Sequence, residues 1–95
     1  VAFNNDARYT FYDMTTQNRD QRIHELDVTV WVGKNGIDAV VDELSDQLAE
    51  RNLVKVKFLR AARGGTTAEE LAEDLAEQAN ADLVRSRGHT AVLER

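Results

Sequence analysis

Between residues 27 and 59 the apolar side chains change period twice, and that change leaves few folds open. In DVTVWVG, residues 27–33, Val28, Val30 and Val32 alternate with Thr29 and Trp31, the period of a strand. From Ile37 the apolar positions recur at Val40, Val41, Leu44 and Leu48, the spacing of an amphipathic helix, here ending near Asn52. LVKVKFL, residues 53–59, alternates again: Val54, Val56 and Phe58 share one face, Lys55 and Lys57 the other. Strands joined by a helix favour parallel pairing through a right-handed crossover.

The flanking segments extend the pattern. Thr66 or Thr67, followed three residues later by Glu69 or Glu70, is a capping box that opens a second helix. Leu71, Leu75 and Ala79 are its expected buried stripe, and it stops near Asn80. Residues 82–87 and 90–94 read as two strands around the tight turn Gly88-His89. Upstream, TTQNRDQRIHEL, residues 15–26, is a short helix capped by Thr15 or Thr16, with Ile23 and Leu26 as its apolar patch. The order is therefore α-β-α-β-α-β-β, an α/β fold with a four-stranded mixed sheet and packed helices. Ninety-five residues suit one small domain. Residues 15–95 are assigned to it, and residues 1–14 are expected to form a flexible tail, because Phe3, Tyr9, Phe11 and Tyr12 are organised by no period, turn or cap.

The chain has no cysteine, so neither a disulfide framework nor a cysteine metal site is open to it. No apolar run approaches membrane-spanning length and no signal-peptide pattern stands at the start, so a cytoplasmic, soluble monomer is expected. The net charge is −5, from 17 acidic and 12 basic residues. Taken alone, that balance argues against a nucleic-acid binder. The signs are segregated, however. Asp38, Asp42, Glu43, Asp46 and Glu50 fall on one helix and Glu69, Glu70, Glu73, Asp74 and Glu77 on the other, while Lys34, Lys55, Lys57, Arg60, Arg63, Arg85 and Arg87 lie elsewhere. Abundant aspartate and scarce lysine suit a halophile-type surface as well as ordinary solvated helix faces.

One connection stands out. The first strand reaches its helix through Gly33-Lys34-Asn35-Gly36. Two glycines allow close approach of backbone, and a lysine beside a helix N-terminus suits a phosphate. Four such residues alone equally make a simple strand-to-helix turn. His24 and His89 have no metal-ligand spacing and are expected at surface or turn positions. Ser45 and Ser86 lack a recognisable base or oxyanion motif, and the carboxylates converge on no nucleophile, so no enzyme, metal or cofactor is expected. Trp31, the single tryptophan, is expected to be covered by the helix carrying Ile23 and Leu26 rather than to stack on a base.

The run VTVWVGKNGIDAVVDELSDQLAERNLVKVKFL, followed by TAEELAEDLAEQANADLVRSRGHTAVLER, resembles the YhbY-like family of CRM RNA-binding domains. The resemblance rests on the glycine-framed loop Gly33 to Gly36, the helix from Ile37, the strand Leu53 to Lys57, and the hairpin Gly88-His89-Thr90, and it covers roughly residues 20–95. It implies a fold similar to the C-terminal domain of bacterial translation initiation factor three. It also implies RNA as the partner, with ribosomal RNA or a pre-ribosomal particle of the large subunit first. Members commonly end in a tyrosine-arginine pair; here Glu94-Arg95 stands instead, and the acidic helices depart from a basic surface. On this reading the RNA-binding residues are Gly33, Lys34, Asn35, Gly36, Lys55, Lys57, Arg60, Arg63, Arg85 and Arg87, with Lys34 and the loop at a phosphate. The rival is a protein-interaction or assembly module whose acidic helices meet basic partners without touching RNA. Whether the basic residues converge with the loop in space separates the two.

Overall fold

A computed structural model describes residues 21–95. Residues 21–25 are helical (α1). The chain continues through β1 (Val28–Val32), a 3-10 turn (Ile37–Val40), α2 (Val41–Glu50), β2 (Leu53–Phe58), a second 3-10 turn (Arg60–Ala62), α3 (Ala68–Gln78), β3 (Asp82–Arg87) and β4 (Thr90–Glu94). This is the expected order and the expected α/β class. The expectations for residues 1–14 and for the start of the first helix lie outside the described residues.

The strands form one mixed sheet in the order β1-β2-β4-β3. β1 and β2 pair in parallel, and β4 runs antiparallel to both β2 and β3. β1, β2 and β3 thus point the same way, with β4 inserted between the last two. Successive right-handed crossovers from β1 to β2 and from β2 to β3 place α2 and α3 on the same side. Between those helices and the sheet lies the main core: Val30, Val32, Val54, Val56, Phe58, Ala91 and Leu93 meet Leu44, Leu48, Ala72 and Leu75. A smaller cluster on the reverse face sets Ile23 and Leu26 of the α1 region against Leu53, Val92 and Val84.

Local chemistry explains the element ends. Thr67 caps α3, its hydroxyl accepting the Glu70 amide at 3.1 Å. The reciprocal half of the expected box is altered, since the Glu70 carboxylate takes the Thr66 hydroxyl at 2.7 Å. Asn80 closes the helix with φ of 56°. The Ala81 amide reaches the Ala76 carbonyl at 2.8 Å and the Asn80 amide the Glu77 carbonyl at 3.2 Å, the two bonds of a Schellman motif with asparagine in the glycine position. The buried stripe of α3 is Ala68, Ala72, Leu75 and Ala76. Leu71 and Ala79, expected in it, are only half-buried. Alanines at these positions leave little side chain between helix and sheet.

Two strand bulges alter the expected faces. In β1, Val28 pairs with Lys55 and Val30 with Val56, which leaves Thr29 as the extra residue. Gln47 of α2 holds it: the Thr29 hydroxyl donates to Gln47 Oε1 at 2.6 Å and Gln47 Nε2 donates to the Thr29 carbonyl at 3.2 Å. Val28 therefore leaves the face of Val30 and Val32. In β3, Leu83 pairs with Leu93 and Arg85 with Val92, so Val84 is extra. Strict alternation from Leu83 would have aimed Arg85 and Arg87 at the helices. The bulge turns them to the reverse face instead.

The cap predicts an ordering of two neighbouring threonines. Thr67→Ala should cost about 1 kcal/mol of stability. Thr66→Ala, which removes only an exposed side-chain bond, should cost clearly less. Urea unfolding of the two variants checks this.

Candidate functional site

Because β1, β2 and β3 run the same way, the loops that follow them leave from one end of the sheet. There the backbone ties them together. The Leu59 amide donates to the Val32 carbonyl at 2.8 Å and the Phe58 amide to the His89 carbonyl at 2.8 Å. Arg63 Nε donates to the Phe58 carbonyl at 3.2 Å. The glycine loop, the Arg60–Arg63 turn and the Gly88-His89 turn are thereby neighbours.

The glycine loop is a tight turn, with the Gly36 amide bonded to the Gly33 carbonyl at 3.0 Å. Lys34 and Asn35 stand exposed at its tip. Gly36 has φ of 80° and ψ of −178°, a region essentially reserved for glycine. The expected helix N-terminus is absent from this place. The loop leads into the 3-10 turn Ile37–Val40, which carries Asp38, and α2 starts only at Val41. Any attraction for phosphate there rests on Lys34 and the loop, since the α2 dipole begins further on and Gly36 has already used its amide.

The reverse face of the sheet carries the other basic residues. Strand register sets Trp31 beside Lys57, Lys57 beside Thr90, and Thr90 beside Arg87. The next row is Val28, Lys55, Val92 and Arg85. α1 covers the far part of this face through Ile23, and a cavity of about 90 Å³ opens at its border, lined by Ile23, His24, Lys55, Arg85, Arg87, Thr90, Ala91 and Val92. His24 Nε2 lies 3.5 Å from an Arg85 guanidinium nitrogen. Most carboxylates of α2 and α3 are exposed on the helix side of the sheet, but Glu69, in the first turn of α3, lines a pocket at the loop end with Arg63, Gly88 and His89.

The ten residues expected to bind RNA thus divide by place. Gly33, Lys34, Asn35, Gly36, Arg60 and Arg63 gather at the loop end, and Lys57 and Arg87 form the row that borders it. Lys55 and Arg85 sit one row back, in the cavity. His24 joins them from the exposed surface position expected of it; sequence reasoning missed only the contact with Arg85, because that partner is 61 residues away. Trp31 is also misassigned by sequence reasoning: it is 53% exposed, since Ile23 and Leu26 pack on Leu53, Val92 and Val84 rather than on it. Among the described residues no cluster of three or more histidines and carboxylates could hold a metal. No helix among them is long and apolar enough to cross a membrane.

This fold, with its glycine-framed loop, defines a known class of domain. The model of the CRS1/YhbY (CRM) domain matches residues 14–95, and the chain belongs to that family. The chain is 42% identical over 74 residues to the "Probable RNA-binding protein MJ0652" of Methanocaldococcus jannaschii, a match covering 78% of this chain and 55% of that protein. It therefore spans little more than half the length of that relative. Among solved structures it is similar to SAV1595 of Staphylococcus aureus, described as a candidate RNA-binding protein, with a TM-score of 0.64 and 32% identity over 81% of this chain and 78% of that one.

Backbone strain separates the two loop glycines. Gly36→Ala should lose roughly 1–3 kcal/mol because of the positive φ. Gly33→Ala should lose much less, since its backbone is ordinary and an added Cβ meets nothing within 4 Å. Thermal unfolding of both variants measures the difference. Gly36 is accordingly a poor site for testing ligand contact, and Lys34 a better one.

Proposed function

We propose that this domain binds structured RNA through the loop end of its sheet. Precursor RNA of the large ribosomal subunit is the first target to test. The observation that carries this reading is convergence. Lys34, Arg60 and Arg63 stand on loops that the backbone ties together, and Lys57 and Arg87 border them. Most carboxylates of α2 and α3 lie on the helix side of the sheet, with Asp38 and Glu69 the acidic residues nearest the loop end. A net charge of −5 is thus compatible with a polyanion, because a basic surface about one Debye length or more from the acidic one is largely screened from it. Membership of the CRM family and the likeness to a probable RNA-binding protein of Methanocaldococcus jannaschii support the same reading.

In this reading Lys34 takes a phosphate at the tip of the glycine loop, and Arg60 and Lys57 continue the backbone track. Arg63 orders its own loop through Phe58 and has its terminal guanidinium nitrogens to offer. Lys55, Arg85 and Arg87 extend the positive field on the reverse face. The protein acts by recognition of a folded RNA, without chemistry. The separate acidic layer on α2 and α3 favours a second reading, in which those helices meet a basic protein partner.

Salt distinguishes them. RNA affinity should fall as salt rises, since phosphate contacts release counterions. Folding should gain stability over the same range, because Asp42 with Asp46 and Glu70 with Asp74 are like charges four apart on α2 and α3. Each of Lys34→Ala, Lys57→Ala and Arg60→Ala should reduce the magnitude of the salt slope by about one. The measurement is affinity for ribosomal RNA fragments across salt, corrected for the folded fraction. Variants that keep the parent's slope and affinity would replace this reading with the protein-partner one.

A further inference from the structure

We infer that Trp31 is a stacking platform for an unpaired base, and that single-stranded RNA crosses the open part of the reverse face from Trp31 toward Arg87. This deepens the proposed function and rests on it. It adds the class of RNA and a contact outside the glycine loop.

Three features lead to it. The indole is 53% exposed, and the other exposed large apolar side chain among the described residues is Leu59, at 39%. Both belong to the same end of the sheet. Leu59 follows Phe58 in extended conformation, φ −71° and ψ 161°, and its amide closes on Val32, the residue after Trp31. An aromatic needed for the core would not stand there, because both apolar clusters form without it.

The second feature is the register. Trp31 is at the head of a row whose members are Lys57, Thr90 and Arg87, one from each strand. Adjacent strands are about 4.8 Å apart, so this row spans roughly 14 Å. A base on the indole would have its own sugar-phosphate beside Lys57, and the backbone could continue over the Thr90 hydroxyl to Arg87. The third feature is the cavity one row behind, where Lys55 adds a positive charge on the side covered by α1. A basic groove beside an exposed aromatic is the general means of holding single-stranded nucleic acid.

The geometry selects against a duplex. In a paired A-form helix each base face is already stacked on its neighbour, and its wide shallow groove shows hydroxyls and edges. An indole lying on a sheet can stack only on a base that has left the helix. The ligand is therefore a loop, bulge or end of RNA, with its paired part free to reach the glycine loop next to Trp31.

Trp31 is the sole tryptophan, so its emission reports the site directly. The 95-residue chain is titrated with a short unlabelled single-stranded RNA and with the same sequence annealed to its complement. Affinities are then measured by anisotropy for the parent, Trp31→Ala and Trp31→Phe. Single strands should quench the indole strongly. Trp31→Ala should weaken single-strand binding by about fivefold or more, the range of one stacked base, with duplex affinity nearly unchanged. Trp31→Phe should retain most of the affinity. An unchanged melting temperature confirms that the alanine variant folds, and Trp31→Phe tests stacking with the ring preserved. Salt-sensitive RNA binding with no quenching, and with Trp31→Ala equal to the parent, would overturn the platform and leave the RNA reading standing. Equal weakening of single strands and duplex would overturn the single-strand class. A parent that binds neither RNA would overturn the proposed function and this inference together.

Discussion

The domain depends on how the end of β2 is held. Phe58 is fully buried among the residues that α2 and α3 cover. Its amide is taken by the β3–β4 turn, its carbonyl by Arg63, and the next amide by the end of β1. Burial of one aromatic ring is thus coupled to two backbone bonds and one side-chain bond, which reach three separate segments. Each bond is worth only about 1 kcal/mol net. Breaking one inside a packed end would leave a buried polar group unpaired, which costs more. The arrangement makes the position of the loops a consequence of the core.

That coupling gives the molecule its two-sided character. Three strands of one direction with two right-handed crossovers send both acidic helices to one side. The same directions send the glycine loop, the Arg60–Arg63 turn and the hairpin turn to one end. Bulges then finish the sorting. Val84 in β3 turns Arg85 and Arg87 away from α3, where two guanidinium groups would have had to be desolvated. Thr29 in β1, held by Gln47, brings Val28 out of the core register while Trp31 remains opposite Val30 and Val32. Charge segregation visible only as a list along the chain becomes a basic reverse face and a mostly acidic helix side, with Asp38 and Glu69 at the end where the two meet.

Interaction strengths at the loop end are those of an exposed site. Lys34, Asn35, Lys57 and Arg60 are all solvent-facing, so each contributes through a high-dielectric medium and is sensitive to salt. Under the proposed function, affinity for RNA comes from several modest contacts acting together. An aromatic surface, whose stacking is far less dependent on salt, complements such a site.

The sequence alone determined the element types, because these are set by local rules: period 2 in β2, period 3.6 in α2, Thr67 before α3, and glycine at the first position of the β3–β4 turn. It also marked Gly36, since a positive φ is a local demand. The candidate site was legible as a set of residues, and its loop and basic positions are the ones that gather at the sheet end or on the adjacent face. What only the tertiary structure decided is where side chains point. Arg85 and Arg87 could not be placed on a face from their own strand, nor Val28 from its alternation. A bulge arises from what packs across the sheet, and one extra residue reverses every face beyond it. Trp31 was misjudged for the same reason. Whether α1 covers it depends on where Ile23 finds its partners, and those are Leu53 and Val92, distant in sequence and brought together only by the pairing of β2 with β4.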